Sequence, residues 1–114
     1  RVESRAFDPT CNPHLTAAMY LHAGLDGIEQ GMDPGDPINL DMYVQTQETR
    51  EKLGVKTLPR TLLEAVEAFE RDELCERVLG ADLRQSFIDL KLQEWWEYHN
   101  HVSDWELKRY LTFF

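Results

Sequence analysis

Long apolar runs, a cysteine framework and an excess of cationic side chains are all missing from this sequence, and each absence removes a class of protein. No uninterrupted apolar stretch approaches the roughly 20 residues of a membrane-crossing helix, so no membrane partner is expected. Lys and Arg number 12 against 21 Asp and Glu, for a formal net charge of -9. Phosphate backbones are gripped by stripes of Lys and Arg, so no nucleic acid is expected either. The two cysteines, Cys11 and Cys75, lie far apart and form no C-x-x-C pair. They read as reduced thiols of a cytoplasmic protein rather than as a disulfide or a metal clip. Internal repeats and low-complexity tracts are absent too. At 114 residues the chain forms one domain at most, with a modest core that gains from neighbours.

What is present starts at the first residue. The run Arg1-Val2-Glu3-Ser4-Arg5 reads as a β-strand over residues 1–7, with Arg1, Glu3 and Arg5 on one face and Val2, Ser4 and Ala6 on the other. A carboxylate between two guanidiniums suits a site that holds a hard cation and anionic oxygens. The same three residues also make a plain salt-bridge ladder on an exposed face. The chain opens inside this strand, without Met or leader. It is therefore expected to be the C-terminal piece of a larger protein, carrying part of a site.

The remainder reads as mostly helix. Pro9 ends the strand, and Asn12-Pro13 starts a helix over 13–30 by capping and fixed φ. Its apolar residues lie on more than one side and Ala and Gly keep it thin, so it is expected to be buried. Residues 32–58 read as a long loop, dense in turn residues at 33–37 and knotted by Leu40, Met42 and Tyr43. A helical region follows over 61–111. Thr61 and Glu64 form a capping box, Asp72 caps a short helix closed by Gly80, and Asp82 caps the longest helix, to about Asn100. Ser103 and Glu106 form a second capping box, with Val102 and Leu107 at the positions of a hydrophobic staple. Trp95 and Trp96 are adjacent and cannot share one helix face, so one ring needs a partner.

Four stretches carry a family resemblance. R-V-E-S-R is followed by D-P-T-C-N-P, then by A-G-L-D-G-I at 23–28 and by D-P-G-D-P at 33–37. Their order and spacing resemble the C-terminal part of the glutamine synthetase superfamily, and T-L-P-R-T-L-L-E-A resembles a later helix of that family. The resemblance covers essentially the whole chain. It implies the C-terminal part of an α+β catalytic domain, seen here as mostly α with one N-terminal strand. It also implies an ATP-dependent ligase that joins ammonia or a small amine such as methylamine to the γ-carboxylate of glutamate through a γ-glutamyl phosphate. Glu3 would then be a ligand of Mg2+ or Mn2+. Arg5 would be the catalytic and substrate-binding guanidinium, and Arg1 would lie near the nucleotide phosphates. The family's double-ringed homo-oligomers, in which the C-terminal segment reaches another subunit, give Phe113 and Phe114 an anchoring role. The ending E-W-W-E-Y-H-N-H-V resembles the branch of type III glutamine synthetases and γ-glutamylmethylamide synthetases. One bacterial branch adenylylates a tyrosine in N-L-Y-D-L-P-P. Here Tyr43 lacks the D-L-P-P portion, so it is expected to be unregulated, with its ring anchoring the loop. The alternative is a non-catalytic helical interaction or assembly module of the same family.

Overall fold

The computed structural model describes residues 3–113. Within them the chain is helical: α1 (Pro13–Glu29), α2 (Gln47–Lys52), α3 (Leu62–Arg71), α4 (Glu73–Leu79), α5 (Ala81–His99) and α6 (Asp104–Tyr110). No strand occurs among the described residues. The expected strand over 1–7 is therefore not met at residues 3–7, and Arg1 and Val2 lie outside the described residues. The physical reason is partnership: a strand exists by exchanging backbone hydrogen bonds with a neighbour, and none of the described residues offers one.

Local chemistry sets most helix ends. The Asn12 side chain accepts from the N–H groups of His14 and Leu15 at the start of α1. Its end is a Schellman turn, with Gly31 at φ 59° and the Met32 N–H donating to the Gly27 carbonyl at 2.9 Å. The Asp72 side chain caps α4 by accepting from the Leu74 N–H. At α6 the capping box is complete, with Ser103 Oγ accepting from the Glu106 N–H and Glu106 Oε2 from the Ser103 N–H. At α3 it is half made. Thr61 Oγ1 accepts from the Glu64 N–H, but the return bond to the Glu64 carboxylate comes from the Arg60 N–H.

Three expectations are corrected. Residues 32–58 are not all loop: Thr46 caps α2, Glu48 sits in its first turn, Arg50 and Lys52 in its last, and Gly54 at φ 67° closes it. Asp82 is not an N-cap. Gly80, at φ 76° and ψ 161°, turns the chain directly from α4 into α5 and leaves Asp82 in the first turn. The third concerns α1, which contains no buried residue. A Cβ on Gly24 would meet nothing within 4 Å, so that glycine admits no close neighbour.

The core is the junction of α3, α4 and α5, where Val66, Cys75 and Ile88 are buried. Phe69 of α3 and Phe87 of α5 pack with ring centroids 5.3 Å apart. The Arg84 guanidinium ties the same three helices: it donates to the Glu70 carbonyl at the end of α3 and lies 3.9 Å from Glu76 of α4. Beyond this junction the backbone of α1 comes close only to that of α4, while those of α2 and α6 come close to no other helix among the described residues. The result is open. The radius of gyration is 18.6 Å, against about 13 Å for a compact domain of this length. The accessible surface is 10203 Å², against about 6500 Å² for a folded monomer of this mass. Leu83, Leu90, Trp96 and Tyr98 of α5 are exposed, so the covered side of this helix is the one that carries Ile88 and Phe87.

Candidate functional site

The expected site residues lie in the segment that leads into α1. Arg5 Nε donates to Glu3 Oε1 at 2.8 Å, which brings guanidinium and carboxylate together in a segment that is not a strand. Both side chains are exposed to solvent, Arg5 more fully. Arg1 lies outside the described residues. Following this pair, the chain is folded back by a bonded turn. Asp8 Oδ1 accepts from both the Thr10 N–H, at 2.8 Å, and the Thr10 hydroxyl, at 2.6 Å. The Cys11 N–H donates to the Asp8 carbonyl at 3.0 Å. The two Thr10 bonds, the hydroxyl's first, hold the Asp8 carboxyl below the usual carboxylate range. The turn delivers the chain to the Asn12 cap of α1. Phe7 packs edge-on against Tyr20 of α1, centroids 5.4 Å apart, which fastens the run before the turn to the helix after it.

Chemically, Glu3 can give a hard dication one oxygen ligand, and Arg5 can fork onto a carboxylate or phosphoryl group once its bond to Glu3 is exchanged. The carboxylate thus fits a Mg2+ or Mn2+ site as one member. No group of three or more His, Cys, Asp or Glu able to hold a metal occurs among the described residues. Cys11 and His14 are exposed beside the turn. The Tyr43 ring is 99% exposed, so it anchors nothing. The loop is held instead by Asp41, whose side chain accepts from the Tyr43 N–H and whose carbonyl accepts from Gln45 Nε2.

One contact was not foreseen. Asp26, in the last turn of α1, pairs with Arg77, in the last turn of α4: Arg77 Nη2 donates to Asp26 Oδ1 at 2.5 Å. Gln30 Nε2 donates to the other oxygen at 2.7 Å. Arg77, and after it Gln30, holds the Asp26 carboxyl low. The signal for it in the sequence is the sign of the charge, since an anion at a helix C-terminus opposes the macrodipole and needs a reason elsewhere.

Comparison with known proteins identifies the family of the chain. The family model described as glutamine synthetase, catalytic domain, matches residues 1–110, and the chain belongs to that family, in the C-terminal part of the domain. Among curated relatives, a glutamine synthetase of Archaeoglobus fulgidus is 44% identical over 96% of this chain and 22% of its own length. A glutamate–methylamine ligase of Methyloversatilis universalis is 43% identical over the whole chain and 26% of its own length. A solved structure described as apo GmaS without ligand aligns with a TM-score of 0.69 at 36% identity, over 90% of this chain and 23% of that one. The chain thus spans about a quarter of the length of the curated relatives it matches. These are enzymes, and the fold is that of their family. No helix among the described residues is long and apolar enough to cross a membrane.

Proposed function

We propose that this chain supplies one edge of the active site of a cytoplasmic, ATP-dependent glutamate–amine ligase. The reaction transfers the γ-phosphoryl group of ATP to the glutamate γ-carboxylate, and ammonia or methylamine then displaces phosphate. Residues 1–7 form a strand in the full domain, where neighbouring strands accept and donate its hydrogen bonds. There Arg5 releases Glu3 and binds the γ-carboxylate and the phosphoryl group it receives, as a planar fork. Arg1 lies toward the nucleotide phosphates. Glu3 holds one position of a Mg2+ or Mn2+ ion, which supplies charge neutralisation for the phosphates when bound. Catalysis of such a transfer is mostly positioning and electrostatic stabilisation, and a carboxylate beside a guanidinium provides both.

The observation that carries the reading is the conjunction of the family match with the 2.8 Å contact of Glu3 and Arg5. The other metal ligands, the nucleotide pocket and the amine site come from elsewhere in the protein, and the exposed aromatics near the C-terminus serve assembly of a homo-oligomer. Tyr43 is not a nucleotidylation site, because the surrounding D-L-P-P is replaced. The test is glutamate- and amine-dependent phosphate release by the full-length protein. Glu3→Gln is expected to raise the Mg2+ concentration for half-maximal rate at least ~10-fold, in line with the replacement of an anionic oxygen ligand by a neutral one. Arg5→Lys is expected to lower kcat ~100-fold, the size seen on loss of a charge-stabilising donor. If Glu3→Gln keeps its metal dependence, the ion pair is a surface salt bridge and the chain serves assembly alone.

A further inference from the structure

We infer that the Asp26–Arg77 ion pair is a positioning latch: by fixing the far end of α1 against α4, it sets where the Glu3–Arg5 segment lies. The inference rests on the functional reading above and extends it to two residues far from the chemistry.

Three observations carry it. The first is that the backbone of α1 comes close to that of α4 alone among the described helices, facing Phe69 of α3 and Phe87 of α5 only across a hollow, and that α1 buries none of its own residues. Its orientation therefore depends on few contacts. At its N-terminal half, Phe7, Leu15, Met19, Phe69, Leu79 and Phe87 border an unfilled apolar hollow of about 210 Å³, which leaves that end room to shift. Second, Asp26 is only 15% exposed, and each of its carboxylate oxygens has a donor, Arg77 on one and Gln30 on the other. Arg77 is 51 residues away in sequence, so the contact is tertiary. Arg77 benefits from the C-terminus of α4, whereas Asp26 is placed against the dipole of α1. The helix dipole thus disfavours an aspartate here; the Gln30 donor one turn on and the partner across the gap offset it.

The third observation is leverage. From Asp26 to the Asn12 cap is 14 residues, about 21 Å of helix at 1.5 Å per residue. A tilt of about 5° at the latch swings the cap by roughly 2 Å, and a misplacement of about 1 Å at reacting groups is enough to cost ~100-fold in rate. The Phe7–Tyr20 contact and the Asp8–Thr10 turn couple the cap to the run that carries Glu3 and Arg5.

The experiment uses the full-length protein with Asp26→Asn, Arg77→Met and the double variant, assayed well below their melting temperatures. Lys52→Met, in an exposed pair of α2, is the control. The single variants are expected to lower kcat between ~10- and ~100-fold while the KM for ATP stays within ~2-fold, since misalignment acts at the reacting groups. The double variant should be no worse than the worse single, as one shared interaction demands. Asp26→Glu should recover part of the rate. Lower melting temperatures with unchanged kcat overturn the latch and leave a purely structural ion pair. A Glu3→Gln variant that is impaired while Asp26→Asn is not sinks the latch but spares the ligase reading. If wild-type protein shows no glutamate-dependent phosphate release, the ligase reading falls. The latch is then judged by amide exchange at Cys11, His14 and Leu15, expected to be at least ~10-fold faster in Asp26→Asn through local opening. Unchanged exchange overturns it.

Discussion

Ile88→Ala is the substitution that most directly interrogates the α3–α4–α5 junction. Ile88 is 2% exposed and sits with Val66, Phe69 and Phe87 on the covered side of α5. Replacement by Ala removes three carbons, about 2.4 kcal/mol at ~0.8 kcal/mol for each. A cavity adds to this, and Ile→Ala changes in cores cost about 2–5 kcal/mol. Space already borders this site, at about 260 Å³ beside Leu62 and Ala65. The neighbours can therefore settle inward, and the lower part of the range applies, about 2.5–3 kcal/mol. An open chain exposes less new surface on unfolding, so its urea m-value belongs near the low end, about 1 kcal/mol/M. The midpoint of urea unfolding, followed by far-ultraviolet circular dichroism, should then fall by about 2.5–3 M. Ile88→Val, one carbon smaller, should cost about 0.8 kcal/mol. Leu90→Ala on the same helix, at a position 57% exposed, should stay within about 0.5 kcal/mol of the parent. Equal shifts for Ile88→Ala and Leu90→Ala would refute the assignment of the core to one side of α5.

Two further outcomes follow from the electrostatics and from burial. Asp8, Asp26 and Glu106 all titrate below their ordinary values of 3.8, 3.8 and 4.5, each because donors stabilise the carboxylate. A depressed carboxyl means that the unfolded chain binds more protons than the native one in acid. The stability these groups contribute is therefore present above their ordinary values and is lost as pH falls through the lower native ones. The urea midpoint should hold level from neutral pH down to about pH 5 and drop below about pH 4, and a midpoint that rises on acidification would reverse the assigned signs. The thiols should separate cleanly: burial pushes the Cys75 thiol up, whereas Cys11 is exposed. A chromogenic disulfide reagent should label one thiol promptly in native protein and the second only on unfolding; prompt labelling of two would place Cys75 at the surface.

Much of the helical layout was legible in single residues. Asn12, Asp72 and Ser103 declare their helices because a short polar side chain beside an apolar-periodic run has one favourable job, the capture of free N–H groups. The missed helix α2 carries the same signal in Thr46 and Gly54, but it is six residues long and its neighbourhood is crowded with turn residues. The apolar wrap of α1 was read as burial, and that inference fails for a physical reason. Composition reports what a helix requires as neighbours, whereas burial depends on which neighbours are present, and among the described helices only α4 comes close to the α1 backbone. The Glu3–Arg5 contact joins opposite charges two residues apart, near enough in sequence to be legible although the strand expected to align them is not met at 3–7. Asp26–Arg77 was not, since no pattern along the chain links residues 51 apart.

The excess surface and the ionic run bear on one another. Roughly 3700 Å² more surface is exposed than a compact monomer of this mass leaves bare. It includes Leu83, Leu90 and Trp96 on α5 and Trp105, Tyr110, Leu111 and Phe113 around α6. Among these, Trp105 and Tyr110 pack edge-on at 5.9 Å and form a rigid aromatic pair rather than a loose tail. A surface of that kind stays bare only at a free-energy cost, and whatever part of the protein or partner covered α5 would also fix the α3–α4–α5 junction against which α1 is set. Through Arg77 and Asp26 that constraint reaches α1, and through α1 it reaches Glu3 and Arg5. Apolar cover in one region and ionic geometry in another would then be coupled through the Asp26–Arg77 pair. A partner that buries Trp96 should therefore protect the amides of Thr16, Gln30 and Arg84 together, as one cooperative unit.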